Sequence, residues 1–154
     1  MTGVEIRAAR ATDSNTICRL VFSLMEALYQ GDYPLDMLQP ATERVLRNST
    51  DVFPFLAPHD ARPVGVIVLN RCTTIYALGD LGEISELYVE PAHRSAGVGA
   101  ALIEKAVAFG RSKGWSMLEV TAPGVPKWRR SVDFYRRSGF KEIGPQLYLM
   151  LVDV

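Results

Sequence analysis

Residues 86–106 read ELYVEPAHRSAGVGAALIEKA. The apolar triplet Leu87, Tyr88 and Val89 breaks at Pro91, passes His93 and Arg94, and enters a helical pattern through Gly97 and Gly99. Leu102, Ile103, Ala106, Phe109 and Gly110 then recur on one helical face. Two glycines in a first turn weaken a helix by about 1 kcal/mol each relative to alanine, so another requirement has to keep them there. A helix N-terminus supplies one. Its free N–H groups and partial positive charge attract anions, bare glycines let a phosphate reach the backbone, and Arg94 adds a charge-assisted contact. A GxG turn before a helix also arises as plain turn geometry, so the pattern alone leaves both readings open. Two common nucleotide loops are absent: no lysine and hydroxyl pair follows Gly99, and Leu102 stands where a third glycine would.

The flanking segments set the fold class. Residues 4–9 alternate as a strand. Asp13 or Ser14 then caps a helix with Ile17, Leu20, Val21, Leu24, Met25 and Leu28 on one face. Gly31 and Pro34 stop that helix, residues 29–40 read as an exposed loop, and a shorter helix covers 41–47. Residues 52–57 and 64–76, joined by PHDAR, predict a hairpin, and a third strand covers 83–89. After the helix over 97–113, stopped by Gly114, WSMLEVTA predicts a strand and 127–138 a helix stopped by Gly139. FKEIG and QLYLMLVDV predict two closing strands. Hairpins mixed with strand-helix-strand units imply an α/β (α+β) fold, a mixed sheet with helices on its faces, in one domain spanning 1–154.

Composition narrows the function classes. The 154 residues carry 17 basic and 17 acidic side chains, so nucleic acid is not an expected partner. No stretch approaches the roughly 18 apolar residues of a membrane span, and charges in the first thirty residues exclude an apolar signal segment. A cytoplasmic location is expected. Cys18 and Cys72 form no metal spacing or disulfide framework and read as buried thiols; His59 and His93 read as surface residues, and no metal is expected.

The stretch RxxGxGxxL after LYVEP, carried by Leu87, Tyr88, Val89, Arg94, Gly97, Gly99 and Leu102, resembles the central motif of the GNAT superfamily of acyl-CoA-dependent N-acetyltransferases. IRAARATDSNTICRL is similar to that family's first strand and helix, and DFYRRSGFKEIG, residues 133–144, to its C-terminal motif. The resemblance implies a mostly antiparallel sheet of six to seven strands with splayed central strands and helices on both faces. It implies acetyl-CoA as cosubstrate, with Leu87, Tyr88 and Val89 bound through main-chain groups along its pantetheine arm. The pyrophosphate would rest on Arg94, Ser95, Ala96, Gly97, Val98, Gly99 and Ala100. The main-chain N–H of Val89 would polarise the thioester carbonyl, and the hydroxyl of Tyr135 would meet the leaving sulfur. Where many relatives carry a cofactor-contacting asparagine, this chain has Trp128. It is expected to pack on the cofactor or to anchor the helix.

Acetyl transfer to an amine needs a neutral amine, and an alkyl ammonium with a pKa of about 10.4 must first lose a proton. Glu83 and Glu86 are the candidate bases. Three residues apart on a regular strand they face opposite sides, and Glu83, sharing parity with Leu87 and Val89, is favoured unless a bulge brings Glu86 round. A phenol with a pKa near 10 leaves Tyr135 able to donate, although Trp128, Val132 and Tyr135 also form a core-like stripe. Glu26, Tyr29, Asp32 and Tyr33, with Asp36 and Asp80, suit a cationic small-molecule or peptide amine. Leu147, Leu149 and Leu151 serve a homodimer if exposed and the core if not. The competing function is a non-catalytic acyl-CoA sensor or interaction module.

Overall fold

The computed structural model describes residues 3–124 and 127–153, which divide into two compact units, 1–120 and 121–154. In the first unit the predicted hairpin is the middle of a five-stranded sheet in the order β1-β2-β3-β4-β5. The strands are β1 (Arg7–Ala8), β2 (Val52–His59), β3 (Arg62–Thr74), β4 (Gly79–Val89) and β5 (Leu118–Val120). All neighbours are antiparallel except β4 and β5, which the crossover helix α3 (Val98–Ser112) connects in parallel.

Alternation along β2 and β3 separates two apolar layers. Leu56, Val66 and Val68 face α1 (Ser14–Tyr29) and α2 (Leu38–Arg47), closing a core with Ile17, Leu20, Val21, Leu38 and Tyr88. On the other face Phe53 and Phe55 meet Phe109 of α3 with ring centroids 4.8 and 5.2 Å apart, and Trp115 closes the group at 5.5 Å from Phe109. Leu20, Leu56, Ile67, Leu69, Leu81 and Leu102 are fully buried, each contributing about 1.5–3 kcal/mol. Helices therefore cover both faces, as expected. Gly82 is required by packing: a Cβ there would lie 2.5 Å from the Trp115 ring.

Several boundaries differ from the sequence reading for local reasons. Asp13 stands at the N-cap of α1 without a side-chain cap bond. Its carboxylate instead accepts Arg7 Nη1 at 2.8 Å, Arg7 Nη2 at 2.9 Å and the Arg10 N–H at 2.7 Å. The loop predicted over 29–40 is shorter because α2 begins at Leu38, with Pro40 inside the first turn, where a missing N–H leaves no bond unmade. β4 starts at Gly79, four residues early, after a turn through positive φ at Leu78 and Gly79. Beyond the end of β4, Glu90 pairs with Arg19 of α1 and, at 3.4 Å, with Arg62 of β3; Arg19 Nη2 also donates to the Pro63 carbonyl at 2.9 Å.

In the second unit α4 (Arg129–Arg137) ends as predicted at Gly139, whose φ is 97°, with the Gly139 and Phe140 N–H groups closing on Arg136 and Tyr135 carbonyls. The two closing strands are not formed: residues 140–153 contain no strand, and Leu147, Leu149 and Leu151 are 89%, 82% and 88% exposed. An alternating pattern specifies a face, while a strand also needs a neighbouring edge to take its hydrogen bonds. The sheet therefore has five strands among the described residues, short of the six to seven expected.

Candidate active site

The site is organised by β4, because the strand changes partners along its length. Glu90 donates its N–H to Val64 at 2.9 Å and Val66 is opposite Tyr88, so in the antiparallel alternation Tyr88 exchanges both main-chain bonds with β3. Leu87 and Val89 fall on the alternate phase and point their N–H and C=O groups away from β3. On that side β5 pairs with Gly82, Glu83 and Ile84 only, its last partner being Val120. The main chain of Leu87 and Val89 thus lies past the point where the two parallel strands part. Tyr88 is different: its backbone is used by β3 and its ring is 9% exposed in the α1 core.

Arg94 folds back onto this strand end. Its Nε donates to the Val89 carbonyl at 2.9 Å, and its guanidinium carbon lies 5.4 Å from the Tyr88 ring centroid. The following loop turns through positive φ at Ser95 (62°) and Gly97 (84°). Gly97 is the N-cap of α3, with no side chain to close it, and the first helical bond runs from Ala101 N to Gly97 O. The N–H groups of Val98, Gly99 and Ala100 precede that bond and have no partner within the helix. A Cβ on Gly97 would point into open space. Val98 is buried beside Gly65 and Leu102, so its side chain anchors the loop and only its backbone faces outside. Arg94, Ser95, Ala96 and Ala100 are exposed.

A bulge decides how the glutamates are placed. Val68 is opposite Glu86 and Leu69 opposite Ile84, leaving Ser85 as the extra residue. Glu83, opposite Asn70, is thereby turned onto the same face as Glu86 and Tyr88, the α1 face, while Leu87 and Val89 lie on the other; the expected parity of Glu83 with Leu87 and Val89 does not hold. Glu83 is exposed and Glu86 half-buried. Burial raises the Glu86 carboxyl above the usual range, the Ser85 hydrogen bond lowers it, and the Glu83 charge raises it. Sequence reasoning missed Ser85 and Asn70, whose side chains join here. Asn70 Nδ2 donates to Ser85 Oγ at 2.7 Å and Ser85 Oγ donates to Glu86 Oε2. The sequence signal for Ser85 was two successive polar residues, Ser85 and Glu86, between Ile84 and Leu87, which break the alternation of the strand.

In the second unit, Tyr135 of α4 lies between Phe134 and Phe140, with centroids 5.3 and 5.6 Å away, and burial pushes its phenol up to about 12. Trp128 is the N-cap of the helix, half-buried, with Lys127 Nζ 5.4 Å from its ring; Arg129 and Arg130 are exposed. The acceptor candidates form a partial group: Tyr29 and Tyr33 have rings 5.2 Å apart at the end of α1, Glu26 is half-buried on the same helix, and Asp32 is exposed between them. Asp80 is elsewhere, at the start of β4, held by Thr73 and Arg71. His59 and His93, read as surface residues, meet with ring centroids 4.4 Å apart and planes tilted by 59°. Cys18 and Cys72 are half-buried. Among the described residues no cluster of metal-ligating side chains is present, and no helix is long and apolar enough to cross a membrane.

Comparisons with known proteins bear on the family and the fold. The profile of the acetyltransferase (GNAT) family matches residues 20–140. An uncharacterised N-acetyltransferase of Methanocaldococcus jannaschii is 31% identical over 100 residues, 64% of this chain and 42% of its own, so the chain spans less than half the length of that relative. The crystal structure of a GCN5-related N-acetyltransferase from Ralstonia eutropha JMP134 superposes with a TM-score of 0.80 at 21% identity, covering 96% of this chain and 99% of that one. An acetyltransferase of Trypanosoma brucei gives 0.74 at 27% identity, over 96% and 99%. A profile match over most of the chain, on a sheet whose parallel strands part beside an uncapped glycine helix start, makes this protein a member of the GNAT acetyltransferase family.

Proposed function

We propose that this protein moves an acetyl group from acetyl-CoA to a primary amine by direct attack in a ternary complex. The observation that carries the reading is the continuity of two main-chain features: the edge of β4 at Leu87 and Val89, past its last bond to β5, runs within ten residues into the uncapped N-terminus of α3. The residues suit the donor. An extended amide-bearing arm finds donors and acceptors at strand spacing, and a pyrophosphate finds the N–H groups of Val98, Gly99 and Ala100 below open space at Gly97. Arg94, Ser95 and Ala96 line the rim, and Trp128 packs on the donor.

When bound, acetyl-CoA supplies a thioester whose carbonyl accepts the amine. The protein's part is to orient it and manage protons. Val89 N–H, off the β3 ladder, is the oxyanion donor. Glu86, with Glu83 beside it on the same face, takes the ammonium proton directly or through water. Its half-burial favours this role over the exposed Glu83, because a raised carboxyl pKa is a better match to a base working near neutral pH. Tyr135, kept protonated, donates to the leaving sulfur. Glu26, Tyr29, Asp32 and Tyr33 select a cationic small-molecule or peptide amine. The protein works in the cytoplasm, without nucleic acid or membrane partners, and as a homodimer.

The test is release of CoA thiol from acetyl-CoA across a panel of small amines, aminoglycosides and peptide N-termini. Acetyl-CoA at about 100 times its dissociation constant stabilises either an enzyme or a sensor by about 2.7 kcal/mol. Thiol release with at least one amine supports the enzyme; stabilisation without release from any of them converts the reading to a non-catalytic acyl-CoA sensor.

A further inference from the structure

The bulge in β4 sets a serine hydroxyl between an asparagine amide and a half-buried carboxylate. Asn70 Nδ2 can only donate, so its 2.7 Å bond occupies a lone pair of Ser85 Oγ and leaves the hydroxyl hydrogen for an acceptor. Two acceptors lie within reach, Glu86 Oε2 and, at the longer distance of 3.4 Å, the Val68 carbonyl. An ionised carboxylate takes such a hydrogen more strongly than a neutral carbonyl does. The pair therefore works against the two influences that favour the acid form of Glu86, burial and the Glu83 charge. The titratable groups on this face of the sheet include Glu83 and Tyr88 on β4, Cys72 on β3 and Glu119 on β5. The helix α1, packed on the same face, carries Cys18, Arg19 and Glu26, with Arg19 committed to Glu90. Against burial and the Glu83 charge, the Ser85 hydrogen bond is what favours ionised Glu86.

We propose that Asn70 and Ser85 are positioning residues, which hold the Glu86 carboxylate ionised and fix its free oxygen for proton removal from the acceptor. This rests on the reading of Glu86 as the base. The bulge has a purpose in it: on a regular strand Ser85 and Glu86 would project to opposite faces, and no hydroxyl could reach the carboxylate of its own neighbour across the pleat.

The experiment compares the wild type with Ser85→Ala, Ser85→Thr, Asn70→Leu and Glu86→Gln. It follows kcat/KM for thiol release between pH 5 and 9, and titrates Glu86 directly by carboxyl NMR in the protein without substrates. The expected result for Ser85→Ala is an acid limb and a Glu86 titration both moved up by about one pH unit, with the rate lost about tenfold below the limb and largely regained above it. Asn70→Leu should move both the same way by less, and Ser85→Thr, which keeps the hydroxyl, should restore the wild-type profile. A limb and titration unmoved in Ser85→Ala, with Glu86→Gln inactive, would overturn the relay and leave the base intact. Full activity of Glu86→Gln would overturn the base, and the catalytic meaning of the relay with it.

Discussion

Glu86 and Tyr135 are both shifted upward by burial, with the same sign of linkage but different bearings on catalysis. For a carboxyl the shift means that ionisation opposes folding. Stability linked to Glu86 is fully present below the pKa of an unfolded glutamate and is lost as pH rises through the higher folded value. Glu86→Gln is expected to melt at or slightly above the wild-type temperature at pH 7.5, while thiol release falls on the order of 100-fold. Calorimetry and a rate assay on one preparation check both, and a variant that loses stability along with activity would point to a structural role. For Tyr135 a phenol near 12 stays protonated throughout the working range. Tyr135→Phe is expected to cost about 100-fold in kcat with acetyl-CoA affinity nearly unchanged, and the wild-type rate should not decline between pH 8 and 10 on account of this group. Both residues were legible as candidates in the sequence. The face on which Glu83 lies was not, because period-two counting carries through Ser85 unless the register with β3 is known.

Under the proposed function the first turn of α3 binds through atoms that every residue has, so its character comes from what is missing. The positive φ of Gly97 makes any side chain there costly to the backbone, while the open space above it admits a side chain that under the proposed function would occupy the donor's seat. Gly97→Glu is expected to abolish acetyl-CoA binding measured by calorimetry, whereas Gly97→Asn, better suited to left-handed backbone, should fold well and bind with reduced affinity; intact affinity in Gly97→Glu would remove the helix start from the donor site. This element was readable from LYVEP and RxxGxGxxL because its sequence requirements are local. Helix α1 was equally readable from its apolar face, and its boundary at Gln30 and Gly31 came from turn chemistry. β5 was not: WSMLEVTA suggested eight strand residues and three form, because Trp115 turns into the aromatic layer and β4 leaves the pair after Ile84.

For the molecule as a whole, the apolar side chains of residues 143–152 form a long exposed run among the described residues. Ile143, Leu147, Leu149 and Leu151 are each more than four-fifths exposed, an unusual run for a monomer. Sedimentation is expected to give a dimer, and Leu147→Glu with Leu149→Glu a monomer that still melts cooperatively; a wild-type monomer would remove these residues from an assembly role. Sequence alternation there predicted strands correctly in composition and incorrectly in outcome, since pairing depends on an edge that sequence does not name.

The ion pairs at Glu90 tie these scales together. One carboxylate, at the residue after the end of β4, holds Arg19 of α1 on one side and Arg62 of β3 on the other. Such a strut ties the tilt of α1 to the end of β4, so under the proposed function the spacing of donor and acceptor would be set by a joint that touches neither.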